Sequence, residues 1–499
     1  MAQLVTSLLI ALMFLTNSVV AGNDGAPPSP DKAWYPPGLR EYEQELAKGK
    51  TEAPAVEVDP DKVYDLPALI DIAERANPKT RIVWERARQA ASSVGLNESA
   101  YFPFLTASAG AGYEHAFIPF PKLELGPGPT VVSVKDGGTL ITDATLVRAV
   151  IGLKWLLLDF GERKAVTTIA KEGLMMANVG FNAVHQRIVF AVTRGYYELN
   201  TARQKVEVAE SARRAAETVR QAAQARLDNG LATKPEVLQA EQQSAQAAFE
   251  LEAARGALSD AQVAFVESLG IRPTTKLQVS RISDEPIADS AGPWEEMIDS
   301  ALSQRPDLVA RLASVRAKRA EIQKARAAYY PKVVLGAHAG WAELDVSIKD
   351  SPYIGGNEPV YAAGIAVELP IFDGFLRRNK LHIAQSELRA AEDELAESRD
   401  SVIREVWKAR TDFETALRKQ ESAVKLVAAA ESAFAASLDA YQHGVGTYVE
   451  VANAQRNATG ALSVMVDTRA SIYTGAAALA LSVGDLARPS PPASSGRRK

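Results

Sequence analysis

One unit of sequence occurs twice in this chain, so whatever it folds into is built from two similar halves. Asn77-Pro78, Tyr101-Phe102-Pro103 and Gly112-Tyr113 reappear as Arg305-Pro306, Tyr329-Tyr330-Pro331 and Gly340-Trp341, at a constant offset of 228. Further on, Asp159, Val192, Leu199, Gly230, Glu236 and Gly270 match Asp373, Val406, Phe413, Gly444, Glu450 and Gly484, at an offset of 214. The register slips once, by 14 residues, between Tyr113 and Asp159. That interval holds Pro119 to Asp143, dense in Gly and Pro, and reads as a surface loop that lengthens freely. Two units are expected, 66–270 and 294–484, joined by a Pro-containing connector, 271–293. The period is far too long for a solenoid.

Inside each unit the pattern switches between helical and strand periods. Leu66 to Ala100 reads as one helix, closed by Pro103. From Leu105 the odd positions Leu105, Ala107, Ala109, Ala111 and Tyr113 are apolar, while Thr106, Ser108, Gly110 and Gly112 are polar or small. The duplicate keeps that parity in Val333, Leu335, Ala337, Ala339 and Trp341 against Gly336, His338 and Gly340. A second strand follows in each unit: Val147 to Trp155 on odd positions against Arg148, Gly152 and Lys154, then Tyr361 to Leu369 against Gly364 and Glu368. Strands are expected over about 104–117, 145–158, 332–347 and 359–370, each close to the roughly ten residues that cross a bilayer in a tilted barrel strand. A half-buried soluble sheet would alternate in the same way. Four strands cannot close a membrane barrel, and an open edge in lipid leaves backbone groups unsatisfied, so closure would take several chains.

Two very long helices follow the strand pairs, Arg163 to Leu227 and Arg377 to Tyr441. Ile188, Val192, Gly195, Leu199, Ala202, Val206 and Ala209 step by four and three, as do Val402, Val406, Ala409, Phe413 and Ala416. That is a coiled-coil seam. At about 1.5 Å per residue each helix reaches roughly 100 Å, and two shorter helices end to end match it.

Composition narrows the function. Lys plus Arg number 56 and Asp plus Glu 61, a formal net charge of −5, which removes the electrostatic basis for binding nucleic acid. Cysteine is absent, and the five histidines, His115, His185, His338, His382 and His443, have no partner at i+3 or i+4. Neither a metal site nor a cofactor is expected. Gly444-x-Gly446 lies between helices and not after a strand, so it is no phosphate-binding fingerprint, and no constellation of an enzyme is present. Residues 1–21 read as a cleaved export signal, with Val19-Val20-Ala21 at its end. Without a Cys the mature start cannot carry a lipoprotein anchor. Residues 22–65 read as an extended arm and 485–499 as a tail.

The duplicated order of helix, two strands, long helix, turn and helix resembles the TolC-like outer-membrane efflux family, over nearly the whole chain from Val63 to Gly484. The most specific local match is a pair of turns, Asn229-Gly230-Leu231-Ala232-Thr233-Lys234-Pro235-Glu236 and His443-Gly444-Val445-Gly446-Thr447-Tyr448-Val449-Glu450. The resemblance implies a mainly α fold with membrane β, in which a homotrimer forms a twelve-stranded β-barrel in the outer membrane, continued by a helical barrel in the periplasm of a Gram-negative cell. It implies the channel of a tripartite efflux or type I secretion system, fed by a periplasmic adaptor and an inner-membrane pump or transporter. Gly230, Leu231, Thr233, Gly444, Val445, Gly446 and Thr447 (turns 228–234 and 442–448) would be the tips that meet the adaptor. Glu236, Tyr441, Glu450 and Asn453 fall where the family narrows its periplasmic gate with carboxylates and a tyrosine. Asn453 replaces a second carboxylate and Gly446 a basic latch residue, so a single Glu ring and a weaker latch are expected. Glu236 and Glu450 also fit a simpler role as first-turn carboxylates favoured by the helix dipole. A coiled-coil structural protein without a channel is the alternative, and the alternating strands speak against it.

Overall fold

The computed structural model describes residues 39–48, 58–119, 122–125, 132–135, 139–282, 292–348 and 354–484. The expected signal and tail lie outside them. Met1–Glu57 and Val58–Lys499 form separate units. In the first, helix α1 (Leu39–Lys48) occupies part of the expected extended arm, because LREYEQELAK is rich in strong helix formers.

In the second unit, β1 (Val63–Tyr64) pairs in parallel with β6 (Gln278–Val279), tying the start of the first repeat to the connector. The helix expected over Leu66 to Ala100 is two helices, α2 (Leu66–Ala76) and α3 (Pro78–Glu98), and its duplicate is likewise α6 (Trp294–Gln304) and α7 (Pro306–Ala327). Each break is the residue before a proline. Asn77 and Arg305 take extended backbone angles, φ −68° and −67°, because a following proline disfavours the helical region, and each proline opens the next helix.

The strands are β2 (Phe104–Pro119), β5 (Thr139–Leu158), β7 (Lys332–Ile348) and β8 (Ile354–Glu368), with a small hairpin, β3 (Lys122–Leu125) and β4 (Val132–Lys135), between the first two. They form one antiparallel sheet in the order β2-β5-β7-β8. All four are longer than ten residues, and the described residues within the segment 119–143 expected to be loop are strand, since the 14 extra residues lengthen the β2–β5 hairpin. Register preserves parity: Ala107 faces Ile151, Ile151 faces Ala339, and Ala339 faces Tyr361. Odd residues from Leu105 up to Trp341 therefore share one face of the sheet, and glycines 110, 112, 152, 336, 340, 356 and 364 share the other. At Gly340 a Cβ would come within 2.1 Å of the Ala149 carbonyl oxygen, so the seam between the two repeats demands glycine.

Strand passes to long helix at Asp159 and Asp373. The Asp159 carboxylate accepts from the backbone of Gly161 and Arg163 and from Arg163 Nε at 2.9 Å; Asp373 accepts from Arg377 N and Nε. Both caps place a carboxylate on a helix N-terminus. Each arginine lies over a ring from the preceding helix end, Tyr101 or Tyr329. Phe160 and Phe375 hold positive φ here, 51° and 69°, the glycine and phenylalanine having changed places between repeats.

The long helices α4 (Glu162–Asp228) and α8 (Leu376–Gln442) have 67 residues each, about 100 Å by helical rise. They pair with shorter helices, α5 (Lys234–Leu269) and α9 (Tyr448–Val483) among them. Helix α4 packs between α3 and α7 towards the sheet and between α5 and α9 towards the tips, while α8 lies against α7 and α9. The result is a layer four helices wide. Ile188, Val192 and Leu199 of the seam are buried, as are Val402, Val406, Phe413 and Ala416.

The stacked ends of the short helices repeat one device. Gly270 (φ 73°) packs on Asn77, whose Nδ2 donates to the Ser268 carbonyl at 3.3 Å. Gly484 (φ 88°) packs on Arg305, whose Nη1 donates to the Ser482 carbonyl at 3.3 Å.

Candidate functional site at the hairpin tips

Both long helices end at a left-handed glycine, Gly230 (φ 71°) and Gly444 (φ 84°). In the first turn Leu231 N donates to the Arg226 carbonyl at 2.7 Å, and in the second Val445 N donates to the Ala440 carbonyl at 3.0 Å. These are helix-ending bonds that only a residue free to take positive φ allows. Open space surrounds both glycines where a Cβ would stand. Beside them Leu231 is 66% exposed and Val445 84% exposed, so each tip presents one apolar side chain to its surroundings. Gly446 differs, since a Cβ there would press on Ala440 at 3.2 Å.

Below the tips the hairpins share a small core in which Tyr441, Val451 and Ala223 are fully enclosed beside Val219, Val237, Ala240, Tyr448 and Ala452. The Tyr441 ring meets Tyr448 edge-on at 6.4 Å. Its hydroxyl is buried with no hydrogen bond of ordinary geometry, and Glu236 of the other hairpin lies close enough to act on it. Burial, and then the charge of nearby Glu236, push the phenol's pKa up. Glu236 also meets the Thr233 hydroxyl at 3.2 Å. Glu450 forms a capping box with Thr447: Thr447 N donates to its carboxylate at 2.9 Å, and Glu450 N donates to Thr447 Oγ1 at 3.3 Å. Those bonds hold the Glu450 carboxyl below its ordinary pKa. Asn453 accepts from Arg456 Nη2.

The residue that joins the two tips is Arg226, which sequence reasoning passed over. Its guanidinium lies 4.5 Å from the centre of the Tyr441 ring. Nη1 donates to the Tyr441 carbonyl and Nη2 to the Leu231 carbonyl at 3.2 Å, so one side chain on the first hairpin holds the end of the second long helix. In the sequence it reads as an ordinary cation in a last helical turn. The available signal is asymmetry: its counterpart at the offset of 214 is Ala440. The expectation at Gly446 concerned the second hairpin, whereas Arg226 lies on the first.

The model of the outer membrane efflux protein family matches residues 69–271 and 297–485, most of both repeats. The chain belongs to that family. As a member, it is an outer-membrane efflux channel protein that extends into the periplasm, and its mostly helical fold with a strand segment is the TolC-like one. The outer-membrane channel OprN superimposes with a TM-score of 0.72 at 19% identity, over 87% of this chain and 95% of that one. Protein CyaE of Bordetella pertussis is 28% identical over 442 residues, 86% of each chain. The cobalt-zinc-cadmium resistance protein CzcC of Cupriavidus metallidurans is 24% identical over 385 residues, 77% of this chain and 84% of that one. No helix among the described residues is long and apolar enough to cross a membrane.

Proposed function

We propose that three copies of the chain close into one duct, with twelve strands in the outer membrane and a continuous helical wall in the periplasm. The observation that carries this reading is the pair of unpaired sheet edges, β2 and β8, on a sheet with one apolar face. Open edges are not tolerated in lipid, and joining β8 of one copy to β2 of the next removes them. The helical layer has matching borders, α3 with α5 on one side, carrying exposed Trp84 and Phe249, and α8 on the other. Such aromatic side chains suit burial between copies.

The tips dock a periplasmic adaptor, which passes cargo from an inner-membrane pump or secretion transporter. Leu231 and Val445 supply apolar contacts, and Gly230 and Gly444 let the adaptor backbone come close; Thr233, Gly446 and Thr447 hold the turns. The closed tip is held by Arg226 on Tyr441, with Glu236 alongside and Glu450 and Asn453 in the adjoining first turns of α9. Arg226 Nε is buried without a partner, which keeps that closure marginal, since such a group costs about 1–3 kcal/mol. A duct of this kind meets cargo loosely, and the CzcC name, which refers to metal resistance, fits a choice of cargo made by the pump. Photo-cross-linkers at Leu231 and Val445 should capture a periplasmic adaptor, whereas one at Tyr361 should not. Capture at Tyr361 alone would overturn the docking assignment.

A further inference from the structure

The four strands run past the length lipid requires, and their faces exchange character along the way. From Leu105, Leu153, Ala337 and Ala363 up to Ala109, Ala149, Trp341 and Pro359, the odd face is apolar. One pair of residues further, it carries Glu343 and Asn357, then Asp345, and then His115 bonded to Asp143 at 2.6 Å, with Tyr113 on the same carboxylate. The even face does the reverse. Lower down it is mixed, with Val150 and Val360 beside Ser108 and Gly340, and the row that follows is Gly110, Arg148, Ala342 and Glu358. In the next row Leu146 and Leu344 stand side by side between Gly112 and Gly356, and in the row after that Val346 pairs with Ile354 beside Ala144, leaving Glu114 on the edge strand as the one charge. Leu146, Leu344 and Ile354 are all substantially exposed in a single chain.

A barrel strand inside the bilayer has its apolar face outward, and one standing in water has no reason to. The reversal therefore marks where the strands leave lipid, near Trp341 and Val147. Beyond it the odd face carries Glu343, Asp345, His115 and Asp143 before the apolar pair Phe117 and Ile141, and the even face turns apolar. We propose that this segment is a second constriction of the duct, an apolar collar at the outward mouth that repels water and ions and passes cargo offering apolar surface. What covers the collar is its own copies: in a closed trimer three Leu146–Leu344 pairs face one axis, with three Val346–Ile354 pairs beyond them. Apolar constrictions of this kind close by dewetting, without a moving part. The glycines at 112 and 356 leave the leucines unobstructed by neighbours on either strand. This proposal rests on the trimeric duct.

The chain has no cysteine, so single thiols report cleanly. In trimers in intact outer membranes, Leu344→Cys should react with a charged, membrane-impermeant thiol reagent at least about tenfold more slowly than the adjacent outward-facing Glu343→Cys, as a dewetted constriction requires. An uncharged apolar maleimide should narrow the gap, and adding Leu146→Asn should abolish it by wetting the ring. Equal rates at 343 and 344 in assembled trimers overturn the collar and leave the duct standing. A Leu344→Cys rate unchanged by Leu146→Asn also overturns it. Absence of trimers for Glu343→Cys and the unsubstituted chain alike overturns the duct, and the collar with it.

Discussion

Arg226 and Tyr441 come from different repeats, and the guanidinium of the first covers the ring of the second at 4.5 Å while bonding its backbone carbonyl. No other side chain described at the tips bridges both hairpins through main-chain carbonyls, so this contact is where the closed state is most exposed to a single substitution. Arg226→Ala removes a cation–ring contact and two charge-assisted bonds. A loss of about 1.5–3 kcal/mol from closure corresponds to a rise of roughly tenfold or more in open probability by single-channel recording. Tyr441→Phe removes only the hydroxyl beside Glu236 and should raise open probability less than Arg226→Ala does. The opposite ranking of the two variants would move the latch to the phenol.

The capping box at Thr447 sets a pH dependence. Glu450 has a folded pKa below its ordinary value because it accepts from the Thr447 backbone and hydroxyl. A depressed carboxylate stabilises the fold above its unfolded pKa, and that contribution is lost as pH falls through the folded value. The protection factor of the Thr447 amide, which donates to this carboxylate, should therefore hold through neutral and mildly acidic pH and fall only in acid below the ordinary carboxylate range. Protection that collapses between pH 7 and pH 6 would place control elsewhere.

The strand faces give the third prediction. Ala109→Lys and Ile365→Lys put charge on the apolar face and should weaken assembly by about 2–4 kcal/mol each near the bilayer midplane. Gly110→Lys and Gly364→Lys enter open space on the other face and should assemble nearly normally. Yield of trimers in the outer membrane reads the difference, and equal yields would contradict the assignment of faces.

Much of this was legible in the sequence because the periods are so regular. Odd–even parity located the strands, and the four-three spacing from Ile188 and from Val402 located the seams. The break at Asn77 was missed although Pro78 follows it, because the apolar pattern continues across the break and a helix stacked on a helix keeps nearly the same period. The length of the β2–β5 hairpin was missed because Gly and Pro between Pro119 and Asp143 mark turns locally without saying how far strands extend on either side. Tyr441 could be placed at the tip from the repeat, but its enclosure depends on Val219, Val237 and Val451 from three other helices. Arg226 left only the asymmetry with Ala440 as a signal, since its partners are the Tyr441 and Leu231 carbonyls, and backbone atoms leave no mark in sequence.

At the tips, Gly230→Val and Gly444→Val each force a β-branched residue to positive φ, a strain of order 1–3 kcal/mol confined to the turn. Transport should fail while trimers persist, because the turns meet the adaptor and the barrel does not depend on them. Trimer loss in step with transport would make these glycines purely structural.

The joining of β2 to β8 between copies is the claim on which the duct depends. The most direct test is disulfide formation in native outer membranes, using one cysteine on each edge of the same chain, Ser108→Cys or Gly110→Cys paired in turn with Val360→Cys, Ala362→Cys or Gly364→Cys. Some pair in register should give covalent dimers and trimers on a denaturing gel and nothing larger, with neither single variant forming trimers. Monomers for every pair, or a ladder continuing beyond three, would contradict it.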